Sequence, residues 1–303
     1  MEKLESVITA ANEILLGKKR EVRLAFSSLI AGGHLLIEDV PGVGKTTLVY
    51  IFGKLLGLEV SRIQFTNDLL PGDILGSTIY SKETEEFVFK KGPIFGQLIL
   101  ADELNRATPK TQSALLQVME ESKVSIEGKE FPLEYPFLII ATQNPFFQVG
   151  TFALPESQLD RFFMSLTLDF PEREFERKIL AQGSIAAQLE SLSPMLSGSE
   201  LRQIKGDIDK VTTSDALVDY ILDLLEKGRS EVEEGAYLSP RAGKDLIQAS
   251  KAWAYLEGRD HVLPEDVQVV APNVLGHRVA GGKGVKYGQK EITNLISKVT
   301  VDC

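Results

Sequence analysis

Short apolar runs alternate with amphipathic stretches through the first half of the chain. Such runs suit strands that are buried on both faces of a parallel sheet. The amphipathic stretches between them predict helices, and one of these begins at Thr108-Pro109, where a capping residue precedes a proline in the first turn. The alternation predicts a doubly wound α/β domain with a five-stranded parallel sheet. The predicted strands are His34–Glu38, Val60–Phe65, Gln97–Asp102, Phe137–Thr142 and Met164–Leu168.

Two segments interrupt this alternation. Leu69–Gly76, followed by Phe87–Phe95, predicts a short helix and then a β-hairpin. Val124–Phe131 predicts a second hairpin with its turn at Gly128. We therefore expect two hairpin insertions in the α/β domain.

The pattern changes after Pro171, where strand signals stop and helical periodicity continues to the end of the chain. An apolar stripe at helical spacing lies between Leu217 and Leu225, and Ser239-Pro240 predicts the start of a further helix. These changes predict an α/β domain over residues 1–171 and an all-α domain over residues 172–303.

Composition narrows the range of partners. The 303-residue chain carries a net charge of −10, which disfavours bulk attraction to nucleic acid, so no such partner is expected. No apolar stretch approaches the roughly 18 residues of a membrane span, and the charged start Met1–Glu5 has no signal-peptide core. The single cysteine, Cys303, excludes a disulfide within one chain and fits a reducing compartment. We expect a cytoplasmic protein without a membrane span.

The motif with the clearest chemistry follows the first predicted strand and opens a helix-like stretch. Gly42 and Gly44 allow backbone N–H groups to face an anion without a side chain in the way. Lys45 can reach the β- and γ-phosphates of a nucleotide, and the Thr46 hydroxyl can ligate Mg²⁺. Asp39 replaces the first glycine of the usual G-x-x-x-x-G-K-[ST] pattern. The residues predicted to contact the nucleotide here are Pro41, Gly42, Val43, Gly44, Lys45, Thr46 and Thr47.

A second motif lies where a predicted strand ends in two carboxylates, Asp102 and Glu103. In α/β proteins, ligands bind at the carboxyl ends of the strands. Asp102 would hold Mg²⁺, through water, and Glu103 would orient a water for in-line attack on the γ-phosphate. Acidic strand ends are common at protein surfaces, but together with the phosphate loop this pair predicts ATP hydrolysis.

The loop and the acidic pair resemble AAA+ ATPases, and longer stretches resemble the MoxR family within that class. The resemblance covers essentially the whole chain and implies an AAA+ P-loop core, two β-hairpin insertions and an all-α lid domain. The chain departs from the family pattern at Asp39 and at Asn67, where proline is usual. The stretches that carry the resemblance are Ala31–His34, Glu38–Thr46, Arg62–Pro71, Lys91–Phe95, Asp102–Ala107, Ala141–Pro145 and Leu154–Phe162.

The resemblance implies roles for residues that the sequence pattern alone does not assign. Asn144 would be a sensor of the γ-phosphate or of the attacking water, a task that suits an amide because it both donates and accepts hydrogen bonds. Without the resemblance, an asparagine before a proline is most often a turn residue. Leu16 and Gly17 resemble the segment whose backbone lies near adenine.

Two arginines receive roles in the same way. Arg161 would be an arginine finger that projects into the site of a neighbouring subunit, where such a residue supplies about 10³–10⁵ in rate. The alternative is a surface arginine paired with Asp160. Arg241 would be a second sensor that touches the γ-phosphate from the helical domain, and its alternative is a charge on a helix surface.

The function that the resemblance implies is a ring-forming, hexameric AAA+ ATPase of MoxR type that remodels or matures client proteins with ATP and Mg²⁺. The resemblance also implies metal-cofactor insertion and a partner with a von Willebrand factor A domain. One alternative is a nucleotide-gated assembly scaffold with little hydrolysis. Another is a nucleic-acid motor, which the acidic balance disfavours.

Some residues of the matching stretches have no assigned role. Asn105 and Arg106 follow the acidic pair directly and would line a subunit interface or relay the nucleotide state. The hairpin aromatics Phe87, Phe89 and Phe131 would either contact a client or pack the hairpins onto the sheet. The sequence leaves both questions open.

Overall fold

A computed structural model describes residues 2–83, 85–145, 150–181, 183–231 and 238–300 of the chain, so Cys303 lies outside the described residues. The strands are β1 (Leu35–Glu38), β2 (Val60–Gln64), β3 (Gly76–Ser81), β4 (Glu86–Lys91), β5 (Leu98–Asp102), β6 (Lys123–Ile126), β7 (Lys129–Pro132), β8 (Leu138–Gln143) and β9 (Met164–Leu166). The helices of the first half are α1 (Glu2–Ile14), α2 (Lys19–Ile30), α3 (Lys45–Leu55), α4 (Pro71–Leu75), α5 (Pro109–Glu121) and α6 (Glu156–Leu159). Those that follow are α7 (Arg173–Ala181), α8 (Ile185–Ser191), α9 (Gly198–Asp209), α10 (Asp215–Glu231), α11 (Pro240–Leu256), α12 (Pro264–Leu275) and α13 (Val285–Ile296), and short 3-10 turns cover Pro93–Phe95, Leu104–Arg106 and Gly276–Arg278.

Within the described residues, five strands form one parallel sheet in the order β2-β5-β8-β1-β9. These are the five predicted strands, each within two residues of its predicted ends. The register places Leu35 of β1 beside Ile140 of β8 and Met164 of β9. All five strands run the same way, so their last residues share one edge of the sheet, the carboxyl edge, and their first residues share the opposite, amino edge.

The sheet is buried because its two faces enter different hydrophobic clusters. Leu35 and Ile37 pack in one cluster together with α1, α2, α3 and the helices after β9. Leu36 and Ile99 point the other way and pack against α5. This alternation along a strand follows from the period of two of β-structure, and it explains why the strands read as continuous apolar runs.

Both predicted insertions are hairpins. Strands β3 and β4 pair in antiparallel fashion after the short helix α4, and β6 pairs with β7. The β6–β7 turn falls at Glu127 and Gly128, whose φ angles of 50° and 77° are both in the left-handed region. Two successive left-handed residues make the kind of tight turn that matches the twist of a hairpin.

The hairpin aromatics divide between the two alternatives. Phe89 stacks on Phe131 with ring centroids 4.2 Å apart and meets the edge of Phe95 at 5.8 Å. These three rings therefore pack the two hairpins together and against the domain. Phe87 instead is 75% exposed and touches only the Tyr80 ring among the aromatic contacts of the described residues.

After β9 the described chain is helical. The predicted stripe between Leu217 and Leu225 is buried on the inner side of α10. Helices of this region share a hydrophobic cluster with α1, α2 and one face of the sheet, so a division between domains at Pro171 stays a prediction. No helix among the described residues is long and apolar enough to cross a membrane.

Candidate nucleotide-binding site

The phosphate loop lies at the carboxyl edge, between the end of β1 and the start of α3. Gly42 and Gly44 have φ angles of 89° and 98°, in the left-handed region that glycine adopts without strain. A Cβ at Gly44 would lie 2.9 Å from the Leu15 side chain, while one at Gly42 would meet no atom within 4 Å. The predicted run falls in this turn: Pro41 and Gly42 are exposed, Val43 and Lys45 are buried, and Gly44, Thr46 and Thr47 are half-buried.

Lys45 is the first residue of α3, and its side chain folds back over the loop. Its ammonium donates to the main-chain oxygens of Asp39 and, at 3.1 Å, of Val40. Burial lowers the pKa of Lys45, while the negative charges of Asp39, Asp102 and Glu103 oppose that shift. The loop and the acidic pair thus converge on one lysine, as a phosphate site requires.

Asp39, which stands where the motif usually has glycine, has a structural role. Its Oδ1 accepts from the Val40 N–H at 2.7 Å, and its Oδ2 accepts from the N–H groups of Leu168 and Asp169, both at 2.6 Å. Hydrogen bonds to a carboxylate are stronger than those between neutral groups. The replacement therefore attaches the base of the phosphate loop to the segment that follows β9.

Asp102 ends β5 and is held on both of its oxygens. The Thr142 hydroxyl donates to Oδ1 at 2.7 Å, and Arg62 forms an ion pair with Oδ2 at 2.7 Å. A carboxylate offers about four lone-pair sites, so these two bonds leave capacity for a further ligand. Thr142 comes from β8 and also accepts from the Glu103 N–H at 2.9 Å.

Glu103 lies directly behind Asp102 in a left-handed conformation with φ of 58°. Its Oε1 accepts from the Asn144 amide at 3.2 Å, so the structure brings the predicted water-orienting residue and the predicted sensor into contact. Its Oε2 accepts from Gln64 at 3.0 Å and pairs with Arg106 at 2.8 Å. Non-glycine residues held at positive φ cluster at functional sites.

Asn105 positions Asn144 from behind. Its side-chain amide donates to the Asn144 carbonyl at 3.0 Å, and its Oδ1 accepts from the Asn144 N–H at 3.4 Å. Asn105 is itself 5% exposed, and its carbonyl accepts from the Phe152 N–H at 2.6 Å. A reciprocal pair of this kind fixes the backbone of Asn144, because both of its main-chain groups are engaged.

An apolar cleft of about 250 Å³ adjoins the phosphate loop on the side of α1. Leu16 is part of its lining, together with Gly42, Thr47 and Phe170. Gly17 has φ of 75°, and a Cβ there would lie 2.8 Å from the Phe175 ring, so the position requires glycine. Cleft and loop are adjacent, as the base and the phosphates of one nucleotide would need.

The two predicted arginines lie away from the loop, at the amino edge. Arg161 precedes β9, and the Phe163 N–H that follows it donates to the carbonyl of His34, just before β1. Arg161 forms an ion pair with Glu120 at 2.9 Å, and Arg241 approaches the same carboxylate at 3.5 Å. Strand β1 separates this edge from the loop, a distance of roughly 10 Å or more at about 3.3 Å per residue.

This placement differs from the sequence-based expectation in two respects. Arg241 lies at the start of α11 beside Glu120, not at the phosphate loop of its own chain. Arg161 pairs with Glu120 rather than with Asp160, which binds the buried Arg278 instead. The spacing of α11 along the sequence does not reveal the edge at which the helix begins, since that depends on how the helices after β9 fold back.

Several residues of the site escaped the sequence analysis. Gln64 and Arg62 reach the acidic pair from β2, and Thr142 reaches it from β8. The only signal was indirect: Arg62 and Gln64 lie in a stretch that resembles the MoxR family. Their role depends on the order of strands in the sheet, which places Gln64 opposite Asp102.

Comparisons with known proteins agree with this geometry. Residues 34–164 match the model for the ATPase family associated with various cellular activities (AAA), and residues 229–294 match the AAA lid domain. Chaperone MoxR1 of Mycobacterium tuberculosis is 39% identical over 91% of this chain and 75% of that protein. Protein MoxR of Paracoccus denitrificans is 32% identical over 89% and 86% of the two chains. The crystal structure of a candidate ATPase from Cytophaga hutchinsonii superposes with a TM-score of 0.86 at 37% identity, covering 100% of this chain and 96% of that one.

A parallel sheet with a phosphate loop and an acidic pair at its carboxyl edge, followed by a helical lid, defines an AAA+ ATPase. Such a protein binds nucleotide and hydrolyses ATP. Within that class, this chain belongs to the MoxR family.

Proposed function

We propose that this protein works as a ring of identical chains that hydrolyses ATP at sites shared between neighbours, in order to remodel client proteins. The observation that carries this proposal is the separation of the site into two halves. The phosphate loop lies at the carboxyl edge, whereas Arg161 and Arg241 lie together at the amino edge. The two arginines would therefore serve the γ-phosphate of a neighbouring chain, where positive charge stabilises the transition state.

Within one chain, the carboxyl edge supplies the remaining groups. Glu103 would orient the attacking water, and its contact with Asn144 would couple that water to the γ-phosphate that Asn144 senses. Lys45 would release the main-chain oxygens that it now contacts and bind the β- and γ-phosphates. Leu16, which lines the apolar cleft, and its neighbour Gly17 would place the base there.

The residues at this edge also fit Mg²⁺. Thr46 offers a hydroxyl in the first turn of α3, and Asp102 keeps lone pairs beyond those used by Thr142 and Arg62. Oxygen ligands of this kind, with water and phosphate completing the shell, are what Mg²⁺ prefers. When bound, the ion would neutralise charge that develops between the β- and γ-phosphates.

The remodelling role rests on one structural feature and on the family. Ile79, Tyr80, Phe87 and Val88 expose apolar side chains on the β3–β4 hairpin, each at least 44% accessible. Tyr80 and Phe87 are paired on one face of the hairpin and Ile79 and Val88 on the other, and exposed apolar side chains of this kind suit contact with a protein client. A partner with a von Willebrand factor A domain, insertion of a metal cofactor and a hexameric ring are further proposals that rest on the resemblance to MoxR proteins.

The test uses two inactive variants that complement each other. In Glu103→Gln the chain's own site loses its water-orienting carboxylate, and ATP binding is retained while turnover is nearly abolished. In Arg161→Ala the site is intact but the neighbour's arginine is missing. If sites are shared, a mixture of the two hydrolyses ATP, because a Glu103→Gln chain lends Arg161 to an Arg161→Ala site. Turnover per chain also rises with protein concentration in the wild type.

The matched control is Glu226→Gln, which replaces an exposed carboxylate on α10. We expect this variant to hydrolyse ATP like the wild type. Undiminished hydrolysis by pure Glu103→Gln contradicts the assignment of the site. A mixture that stays inactive contradicts the shared site. ATP-dependent assembly without turnover at any protein concentration supports the alternative of a scaffold.

A further inference from the structure

Arg278 is a buried arginine that holds the backbone on both sides of Arg161. Its side chain has no exposed surface and lies in the 3-10 turn that follows α12. Its guanidinium donates to the carbonyl of Asp160 and to the carbonyl of Phe162, each at 3.1 Å. The two carbonyls flank Arg161 in the chain, so the segment that carries the finger is clamped from the lid side.

Asp160 joins this clamp to the start of α11. Its Oδ1 accepts from Arg278 at 2.7 Å, and its Oδ2 accepts from the Ser239 hydroxyl at 2.9 Å. Ser239 caps α11 by accepting from the Ala242 N–H at 3.2 Å, and Arg241 lies in that first turn. One carboxylate thus bonds to the residues that fix the positions of both arginines.

The ion pairs of the network differ in exposure. Arg278 is enclosed by Asp160 and by Asp245 of α11, whose side chains are 20% and 21% accessible. Glu120, which bridges Arg161 and Arg241, is 48% accessible. Exposed ion pairs contribute little, whereas breaking a buried pair leaves an uncompensated charge. The inner pairs are therefore costly to break, and the outer pair, in which Arg161 also donates to the Leu116 carbonyl at 2.9 Å, is the one that a phosphate would replace.

We propose that Asp160 and Arg278 are positioning residues that hold Arg161 and Arg241 as one pre-arranged pair, ready to enter the nucleotide site of a neighbouring chain. The inference rests on the proposed shared site. It assigns to the inner network the task of fixing the distance between two guanidinium groups before the neighbour arrives. Preorganised charges stabilise a transition state because they need no reorganisation during the reaction.

The test exploits the fact that a positioning defect belongs to the donor side only. Asp160→Asn keeps the shape of the side chain but loses the charge that Arg278 requires, and we expect turnover at saturating ATP to fall by about 10- to 100-fold. ATP affinity is expected to stay within about twofold of the wild type, because the phosphate loop lies at the other edge. Asp160→Asn mixed with Glu103→Gln regains turnover, since Glu103→Gln supplies a correctly held pair. Asp160→Asn mixed with Arg161→Ala shows no such recovery, because neither chain supplies a correctly held pair.

A second variant and a control separate this role from a general loss of structure. Arg278→Lys removes the simultaneous clamp on two carbonyls and gives the same pattern in mixtures, even if Asp160→Asn is poorly folded. Asp266→Asn is the control: it breaks a similarly buried ion pair, with Arg259, elsewhere in the helical region. That variant loses stability without a defect that Glu103→Gln corrects.

The outcomes distinguish this inference from the proposal beneath it. Recovery with Arg161→Ala and Glu103→Gln, but none with Asp160→Asn or Arg278→Lys and Glu103→Gln, overturns the positioning role and leaves the shared site standing. Wild-type turnover in pure Asp160→Asn and Arg278→Lys also overturns it. An inactive mixture of Arg161→Ala and Glu103→Gln overturns the shared site itself.

Discussion

At the scale of single residues, Asp39 departs from the phosphate-loop motif, and this departure strengthens the structure. The glycine usual at that position contributes only conformational freedom, whereas Asp39 accepts hydrogen bonds from three backbone N–H groups. Asp39 is itself 7% exposed. Donors that are buried with it would lose their partner if the carboxylate were removed, and a buried unsatisfied donor is costly.

Restoring the usual glycine is therefore expected to weaken the protein. Asp39→Gly should lower the free energy of unfolding by about 2–4 kcal/mol, since it deletes charge-assisted bonds and leaves the donors of Leu168 and Asp169 without an acceptor. Urea unfolding measures the loss. Asp39→Asn retains one side-chain oxygen, so its free energy of unfolding should lie between those of the wild type and Asp39→Gly. A glycine variant as stable as the wild type would contradict the anchoring role.

Two histidines make stability depend on pH. Burial lowers the pKa of His34 from 6.5 to about 4, and burial lowers the pKa of His277 well below 6.5. Nδ1 of His34 accepts from the Ile139 N–H at 3.1 Å, and Nε2 lies 3.2 Å from the Met119 carbonyl, a contact that opposes the lowering of the pKa by burial. A histidine with a lowered folded pKa binds its proton more readily when unfolded, so stability falls as pH falls.

We expect the loss to extend from about pH 6.5 down to about pH 4. For His34 alone, the difference between those values corresponds to about 3 kcal/mol. Urea unfolding over this range measures it, and His34→Gln should show a shallower dependence than the wild type. An identical pH dependence in His34→Gln would exclude His34 as a cause.

The residue scale also shows where sequence reasoning ends. The positions of Lys45, Asp102 and Glu103 at the carboxyl edge could be predicted because each belongs to a local motif that is readable from its neighbours in the chain. The contacts of Gln64 with Glu103 and of Asn105 with Asn144 could not be predicted, because the partners lie 39 positions apart in the sequence. A side chain that acts through a tertiary contact leaves no periodic signal.

At the scale of elements, the sequence predicted the strands and hairpins themselves, but it did not predict which strands lie side by side in the sheet. Continuous apolar runs are distinctive of strands buried on both faces, and Gly128 marked a tight turn. Nothing in the run Leu35–Glu38 states that it lies between β8 and β9, since strand order depends on how helices cross the sheet. The position of α11 at the amino edge escaped prediction for the same reason.

The β3–β4 hairpin supplies a matched pair of aromatic substitutions. Phe89→Ala removes a ring stacked at 4.2 Å on Phe131, so the free energy of unfolding should fall by about 1–3 kcal/mol. Phe87→Ala removes a ring that is 75% exposed, and its cost should stay under about 1 kcal/mol. Thermal or urea unfolding compares the two directly. Equal losses would show that Phe87 also packs in the folded chain.

At the scale of the whole molecule, charge distinguishes a protein-remodelling ATPase from a nucleic-acid motor. The net charge of −10 opposes the phosphate contacts on which sequence-independent nucleic-acid binding depends. A single substitution in the nucleotide site changes this net charge little, because the long-range electrostatic field depends on all charges of the surface.

Single-stranded DNA should therefore leave the ATPase rate unchanged. The measurement is steady-state turnover with and without an excess of DNA, at low and at moderate salt, since charge-driven binding is strongest at low salt. Stimulation that disappears as salt rises would revive the alternative of a nucleic-acid motor.

The short strand β9 connects the amino edge of the sheet, where Arg161 lies, with the carboxyl edge, where the phosphate loop lies. Arg161 precedes β9, and the N–H groups of Leu168 and Asp169 that hold Asp39 follow it, so one strand of about 10 Å links the segment of Arg161 to the base of the phosphate loop. In a closed ring, β9 would have the same orientation in every subunit. The segment before it would enter the site of one neighbour, and the segment after it would hold the phosphate loop of its own site. A displacement at one phosphate would then reach both neighbours, because each site would contain the phosphate loop of one chain and Arg161 of the next, and coupling between sites is reciprocal.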